Sequence, residues 1–128
     1  MIKEKCCGCI IIENNKVLLV HQQKGFWGFP KGHVEENETE VETAIREVKE
    51  ETNLDVRINN TKTYMETYIS DTGNEKEVVY FLASIIGGTM TPQEREVSTI
   101  KWVTFEEALK LIEYENRREM FKKVIKDI

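Results

Sequence analysis

Gly32-His33-Val34-Glu35-Glu36-Asn37-Glu38-Thr39-Glu40-Val41-Glu42-Thr43-Ala44-Ile45-Arg46-Glu47-Val48-Lys49-Glu50-Glu51-Thr52-Asn53-Leu54 carries more structural instruction than any other part of the chain. Val41, Ala44, Ile45 and Val48 fall at i, i+3, i+4 and i+7, the spacing of a helical face packed on a core. Thr39 with Glu42 forms a capping box and places the helix start. Asn53 stands where a helix ends in a left-handed residue, often Gly and sometimes Asn. The same spacing stacks Glu47, Glu50 and Glu51 on one face at i, i+3 and i+4, pointing away from the apolar stripe toward a cleft or solvent. Like charges so placed repel, so a cation is expected among them. Hard oxygen ligands suit magnesium or manganese. A solvated acidic helix face is the plainer reading of the same three residues.

The wider pattern is Gly32, five residues, Glu38, seven residues, then Arg46-Glu47-Val48-x-Glu50-Glu51-x-Asn53-Leu54. It resembles the signature of the Nudix hydrolases. One position departs: the family's late Gly is Asn53, a residue that tolerates positive φ better than most. The resemblance implies an α/β fold, an α/β/α sandwich whose mixed central sheet is flanked by the catalytic helix and C-terminal helices. It also implies Mg2+- or Mn2+-dependent hydrolysis of a nucleoside diphosphate linked to another group. In that family pattern Glu47, Glu50 and Glu51 supply the main metal ligands, with the Gly32 carbonyl as a further one. Arg46 orients a neighbouring glutamate through a charge-assisted pair. The carboxylate that serves as base varies within the family; Glu47 is the first choice and Glu96, in the loop before Trp102, the second.

Composition bounds the rest. With 128 residues and 40% hydrophobic content, the chain is expected to form a single domain, 1–128, around one core. A net charge of -5 argues against a general nucleic-acid binder, which needs a basic surface. Bound cations and the nearby Lys31 and Arg46 reconcile an acidic protein with a polyphosphate substrate. No stretch reaches the roughly 18 apolar residues of a membrane span, and Met1-Ile2-Lys3-Glu4-Lys5 lacks a signal-peptide design, so cytoplasmic residence is the expectation. Cys6, Cys7 and Cys9 lack a second Cys/His pair at zinc spacing and suit buried thiols, with Cys7 and Cys9 on one strand face and Cys6 on the other. No calcium-binding EF-hand spacing is present.

Along the chain, 6–12 and 17–21 suit two strands joined by a turn at Glu13-Asn14-Asn15-Lys16. Pro30 suggests a strand edge or end. Residues 55–70 and 77–86 suit a long hairpin around Asp71-Thr72-Gly73-Asn74, closed by Gly87-Gly88. Residues 98–103 suit another strand, Thr104 with Glu107 a second capping box, and Asn116 with Glu119 the cap of a last helix.

A narrower likeness lies outside the helix. Phe29-Pro30-Lys31-Gly32-His33-Val34-Glu35, Lys76-x-x-Val79-Tyr80-Phe81-Leu82-Ala83 and the stretch from Glu96 to Trp102 are similar to segments of asymmetric dinucleoside tetraphosphate hydrolases. That likeness implies that Lys31, His33 and Lys76 contact a phosphate chain, and that Tyr80, with Tyr114, stacks on an adenine. Each residue also has a plainer role: Tyr80 in the core, His33 on backbone groups, the lysines on the surface, and Trp27 and Trp102 in packing. The expected activity is hydrolysis of diadenosine tetraphosphate to ATP and AMP. The alternatives are a nucleotide-sanitising nucleoside triphosphate pyrophosphatase, an RNA 5′ pyrophosphohydrolase, and a non-catalytic nucleotide-binding module. The expected partner is a small nucleoside polyphosphate, bound by a monomer or homodimer.

Overall fold

The computed structural model describes residues 2–23 and 25–128; Met1, part of the segment expected to lead into the first strand, lies outside them. The chain runs β1 (Lys3–Glu13), β2 (Lys16–Gln22), β3 (Trp27–Gly28), β4 (Lys31–His33), α1 (Glu40–Thr52), β5 (Leu54–Ile69), β6 (Glu75–Gly88), β7 (Val97–Thr104), α2 (Phe105–Leu111) and α3 (Glu115–Asp127). Strand β1 pairs parallel with β6 and antiparallel with β4 and, at its far end, β2; β5 lies antiparallel along β6, and β7 along β2. The sheet is therefore mixed.

Alternation along β1 sorts the three cysteines between two cores. Cys6 and Ile10 pack with Val78, Tyr80, Phe121 and Val124 under α2 and α3. Cys7, Cys9 and Ile11 pack with Val79, Phe81, Ala44 and Val48 under α1. The outcome is the expected α/β/α sandwich. All three thiols are free and buried, and burial pushes Cys7 up to about 11 and Cys9 up to about 12.

Most local expectations hold. Asn14 and Asn15 both take positive φ (52° and 61°), as a two-residue hairpin loop requires. Thr39–Glu42 and Thr104–Glu107 both form complete capping boxes. Asn53 ends α1 at φ 64°, its N–H donating to the Lys49 carbonyl. Two expectations are corrected. Asn116 does not cap α3: the cap is Tyr114, without a side-chain hydrogen bond, and the Asn116 amide donates to the Thr67 carbonyl. Val41 is exposed, because the buried face of α1 is rotated toward Ala44, Glu47, Val48 and Glu51. The acidic face does meet a cleft, one of the two placements expected for it, with Glu47 and Glu51 buried there. Among the described residues, no helix is long and apolar enough to cross a membrane.

Candidate functional site

Glu47 and Glu51 stand one helical turn apart on α1 and are only 6% and 2% exposed. Together with Glu96 they offer carboxylate oxygens that all lie within 4.8 Å of one another. Oε1 of Glu51 is buried and accepts no hydrogen bond from the described residues. Such a group costs free energy unless a hydrogen bond, a proton or a cation meets it. Burial, then the charge of Glu50, pushes Glu47 up to about 7. Burial, then the charge of Glu47, holds Glu51 well above the ordinary carboxylate range. Hard oxygen donors and an unpartnered buried carboxylate oxygen fit Mg2+ or Mn2+.

The third carboxylate arrives from a distant loop by backbone bonding. Thr91 and Gln93 donate their N–H groups to the carbonyls of Thr52 and Glu51 at the end of α1, at 2.8 and 3.1 Å. The N–H of Gln23 donates to the Glu96 carbonyl at 2.9 Å, and the Gln93 side-chain oxygen accepts from the N–H groups of Arg95 and Glu96. The loop is thereby tied to the helix terminus that carries Glu51. On the other side, β4 brings Gly32 so close that a Cβ there would collide with the Glu47 carboxylate. Glycine at position 32 is a matter of space rather than of backbone φ.

Arg46 organises the rim. Its Nε donates to Glu38 Oε2 at 2.6 Å, and its Nη2 to Glu38 Oε1 and to the His33 carbonyl, both at 3.0 Å. Its Nη1 donates to both oxygens of Glu50 at 3.0 Å and reaches Glu47 Oε2 at 3.4 Å. The guanidinium holds the Glu38 carboxyl down to about 2. Glu50, expected among the metal ligands, lines the same cleft beside Glu47 and is bound by Arg46, while Glu96 clusters with Glu47 and Glu51. His33 pairs with Glu4 at 2.8 Å at the cleft edge.

A second cavity of about 370 Å³ opens beside the acidic one. Gln22, Lys31, Lys76 and Glu96 wall both, so the two form one cleft with a cationic waist. Its far wall is aromatic: Tyr114 lies 4.8 Å from Phe26 and 5.0 Å from Tyr68, ring centre to ring centre. The Lys31 ammonium sits 5.4 Å from the Tyr68 ring.

Tyr80 is a correction. Its ring is fully buried, edge-on to Phe29 at 5.4 Å, and its hydroxyl donates to Glu66 at 2.6 Å, so it offers no face to a base. Tyr114 does line the cleft, joined there by Tyr68 and Phe26, which sequence reasoning did not select. Trp27 and Trp102 pack against the two cores. A signal for the aromatic wall existed in β5. Tyr64, Glu66 and Tyr68 alternate onto one face, and a carboxylate between two tyrosines on an inward face calls for a buried cation.

A family model described as NUDIX domain matches residues 4–124. The chain is 30% identical over 107 residues to Nudix hydrolase 2 of Arabidopsis thaliana, covering 78% of this chain and 38% of that protein. It is 32% identical over 99 residues to an asymmetrical bis(5′-nucleosyl)-tetraphosphatase of Caenorhabditis elegans, covering 76% of this chain and 72% of that one. It spans about two fifths of the length of the first curated relatives it matches. A crystal structure of a C. elegans Ap4A hydrolase binary complex superposes with a TM-score of 0.81 at 27% identity, covering 98% of this chain and 99% of that chain.

Proposed function

The chain belongs to the Nudix family, and from that premise we propose that it is a divalent-metal-dependent hydrolase of nucleoside polyphosphates that cleaves diadenosine tetraphosphate to ATP and AMP. One observation carries this reading: the cleft joins an acidic end, with a buried unpartnered carboxylate oxygen, to an aromatic end across two lysines. Glu47, Glu51 and Glu96 would hold the cation, with Glu50 and the Gly32 carbonyl as further donors. When bound, Mg2+ or Mn2+ neutralises phosphate charge and makes water more acidic.

The chain's own groups do the rest. Arg46 fixes Glu50 and leans on Glu47, setting the rim of the acidic end. Glu47, packed against Gly32 at the acidic end, is the first choice to take a proton from the attacking water. Glu96 is the second choice for that role. Lys31, Lys76 and His33 meet the phosphate chain along the waist and edge. A base lies against Tyr114 and Tyr68, a contact worth about 1–3 kcal/mol and tolerant of base identity.

Product analysis by chromatography tests the reading, with Mg2+ and a panel of dinucleoside polyphosphates, nucleoside triphosphates, ADP-ribose and 5′-triphosphorylated RNA. ATP plus AMP from diadenosine tetraphosphate, formed faster than products from the other compounds, is the expected result. ADP as the sole product excludes asymmetric cleavage. Faster turnover of triphosphates or RNA moves the assignment to the sanitising or RNA reading.

A further inference from the structure

Arg117, on α3, is only 4% exposed, yet its guanidinium borders the aromatic end of the cleft. Its Nε donates to both oxygens of the buried Glu66, at 3.0 and 2.9 Å, and its Nη1 donates to the Trp27 carbonyl at 3.1 Å. Tyr80 completes the arrangement by donating its hydroxyl to the same carboxylate. On the cleft side the guanidinium carbon sits 5.2 Å from the Tyr68 ring centre and 5.0 Å from that of Tyr114. Space for it is reserved: a Cβ on Gly28 would lie 2.7 Å from Nη1. One planar cation on α3 thus reaches two other elements, β3 and β5, and bears on both tyrosines.

We propose that Arg117, clamped by Glu66 and the Trp27 carbonyl, is a positioning residue that sets the Tyr68–Tyr114 wall and so governs affinity for the nucleoside end of the substrate, leaving the hydrolytic step to the acidic end. This deepens the hydrolase reading above and rests on it. The physical reason is rigidity. Tyr114 caps α3 without a side-chain bond of its own, so its ring depends on neighbours for placement. A guanidinium fixed by charge-assisted bonds supplies that placement through cation–π contact. A lysine, with one point charge, cannot bond both Glu66 and the carbonyl in the same fork and lie flat against two rings.

The test uses Arg117→Lys and the charge-neutral double variant Glu66→Gln/Arg117→Met, in which the amide oxygen still accepts from Tyr80. For both, KM for diadenosine tetraphosphate with Mg2+ is expected to rise about tenfold or more, within the range of one base–aromatic contact, with kcat within about threefold of wild type. AMP affinity by calorimetry without metal falls in step. Folded variants with wild-type KM and AMP affinity, or a fall in kcat at unchanged KM, overturn the proposal. If neither variant folds, the Arg117 Nε–H resonance of the 15N-labelled wild type decides: it must shift as AMP is added, and a stationary signal overturns the role. A wild type that binds AMP but cleaves nothing in the panel defeats the hydrolase reading alone, and the AMP titrations still judge Arg117. A wild type that does not bind AMP defeats the inference itself.

Discussion

Glu51 and Glu66 are both carboxylates removed from water, on α1 and β5, and the fold treats them in opposite ways. Glu66 accepts two bonds from Arg117 and one from Tyr80, so its charge is matched and its oxygens are occupied. Glu51 sits beside Glu47 and Glu96, with Lys31 as a partial counter-charge, and its Oε1 accepts no bond from the described residues. Desolvating a carboxylate beside two others is unfavourable unless a proton or an external cation resolves it. A satisfied buried charge therefore belongs to the scaffold, and an unsatisfied one marks where the scaffold expects something from solution. Glu51 lines the acidic end of the cleft, whereas Glu66 stands behind the aromatic end, bound to the Arg117 that borders it.

The contrast breaks most visibly in turnover. Glu51→Gln should reduce Mg2+-dependent hydrolysis of diadenosine tetraphosphate by more than about 10²-fold, beyond the 10- to 100-fold typical of losing an outer-shell partner of a metal ligand. It should unfold at no lower temperature than wild type when metal is absent. Retained activity in the purified variant would remove Glu51 from the site.

At the other end the sign reverses. Arg117→Met alone leaves Glu66 buried and unpaired and should cost about 3–5 kcal/mol of stability, as breaking a buried ion pair does. Denaturant titration measures this, and Mn2+ affinity of the folded fraction should be unchanged. A loss below about 1 kcal/mol would show that Glu66 and Arg117 are not the matched pair their geometry indicates.

A smaller effect sharpens the same comparison through pH. Glu47 and Glu51 bind their protons more tightly folded than unfolded. Their protonated forms therefore stabilise the fold at low pH, and that contribution is lost as pH rises from the ordinary carboxylate range through about 7. Glu38, held down to about 2, acts in the opposite sense only at much lower pH. Metal-free protein should accordingly lose on the order of 1 kcal/mol between pH 5 and 8, and roughly 4 °C in Tm, with Mg2+ restoring it at pH 8 by mass action. A flat profile would place both groups in solvent.

Much of this organisation was legible beforehand, for local reasons. Thr39, Asn53 and Thr104 declare helix ends through bonds to residues three or four positions away, and such signals survive in any tertiary setting. Sorting Cys6 from Cys7 and Cys9 needed only the two-residue period of a strand. The misses came from long-range packing. Val41 belongs to an apolar stripe by spacing, but the sheet meets α1 at a different rotation, turning Glu47 and Glu51 inward. Tyr80 and Tyr68 both sit in strands, and only the pairing of β6 between β1 and β5 buries one while leaving the other on the cleft. Glu96 reaches the glutamates through backbone bonds between a loop and a helix end about 40 residues away in sequence.

The central claim, that the unmatched carboxylates form a cation site, is tested most directly by titrating metal-free protein with Mn2+ and following free ion by electron paramagnetic resonance, without substrate. Wild type should bind the ion, and Glu47→Gln/Glu51→Gln should bind it more than about tenfold less tightly, exceeding the lower bound for altered outer-shell partners. Equal Mn2+ affinity in the two proteins would contradict the account.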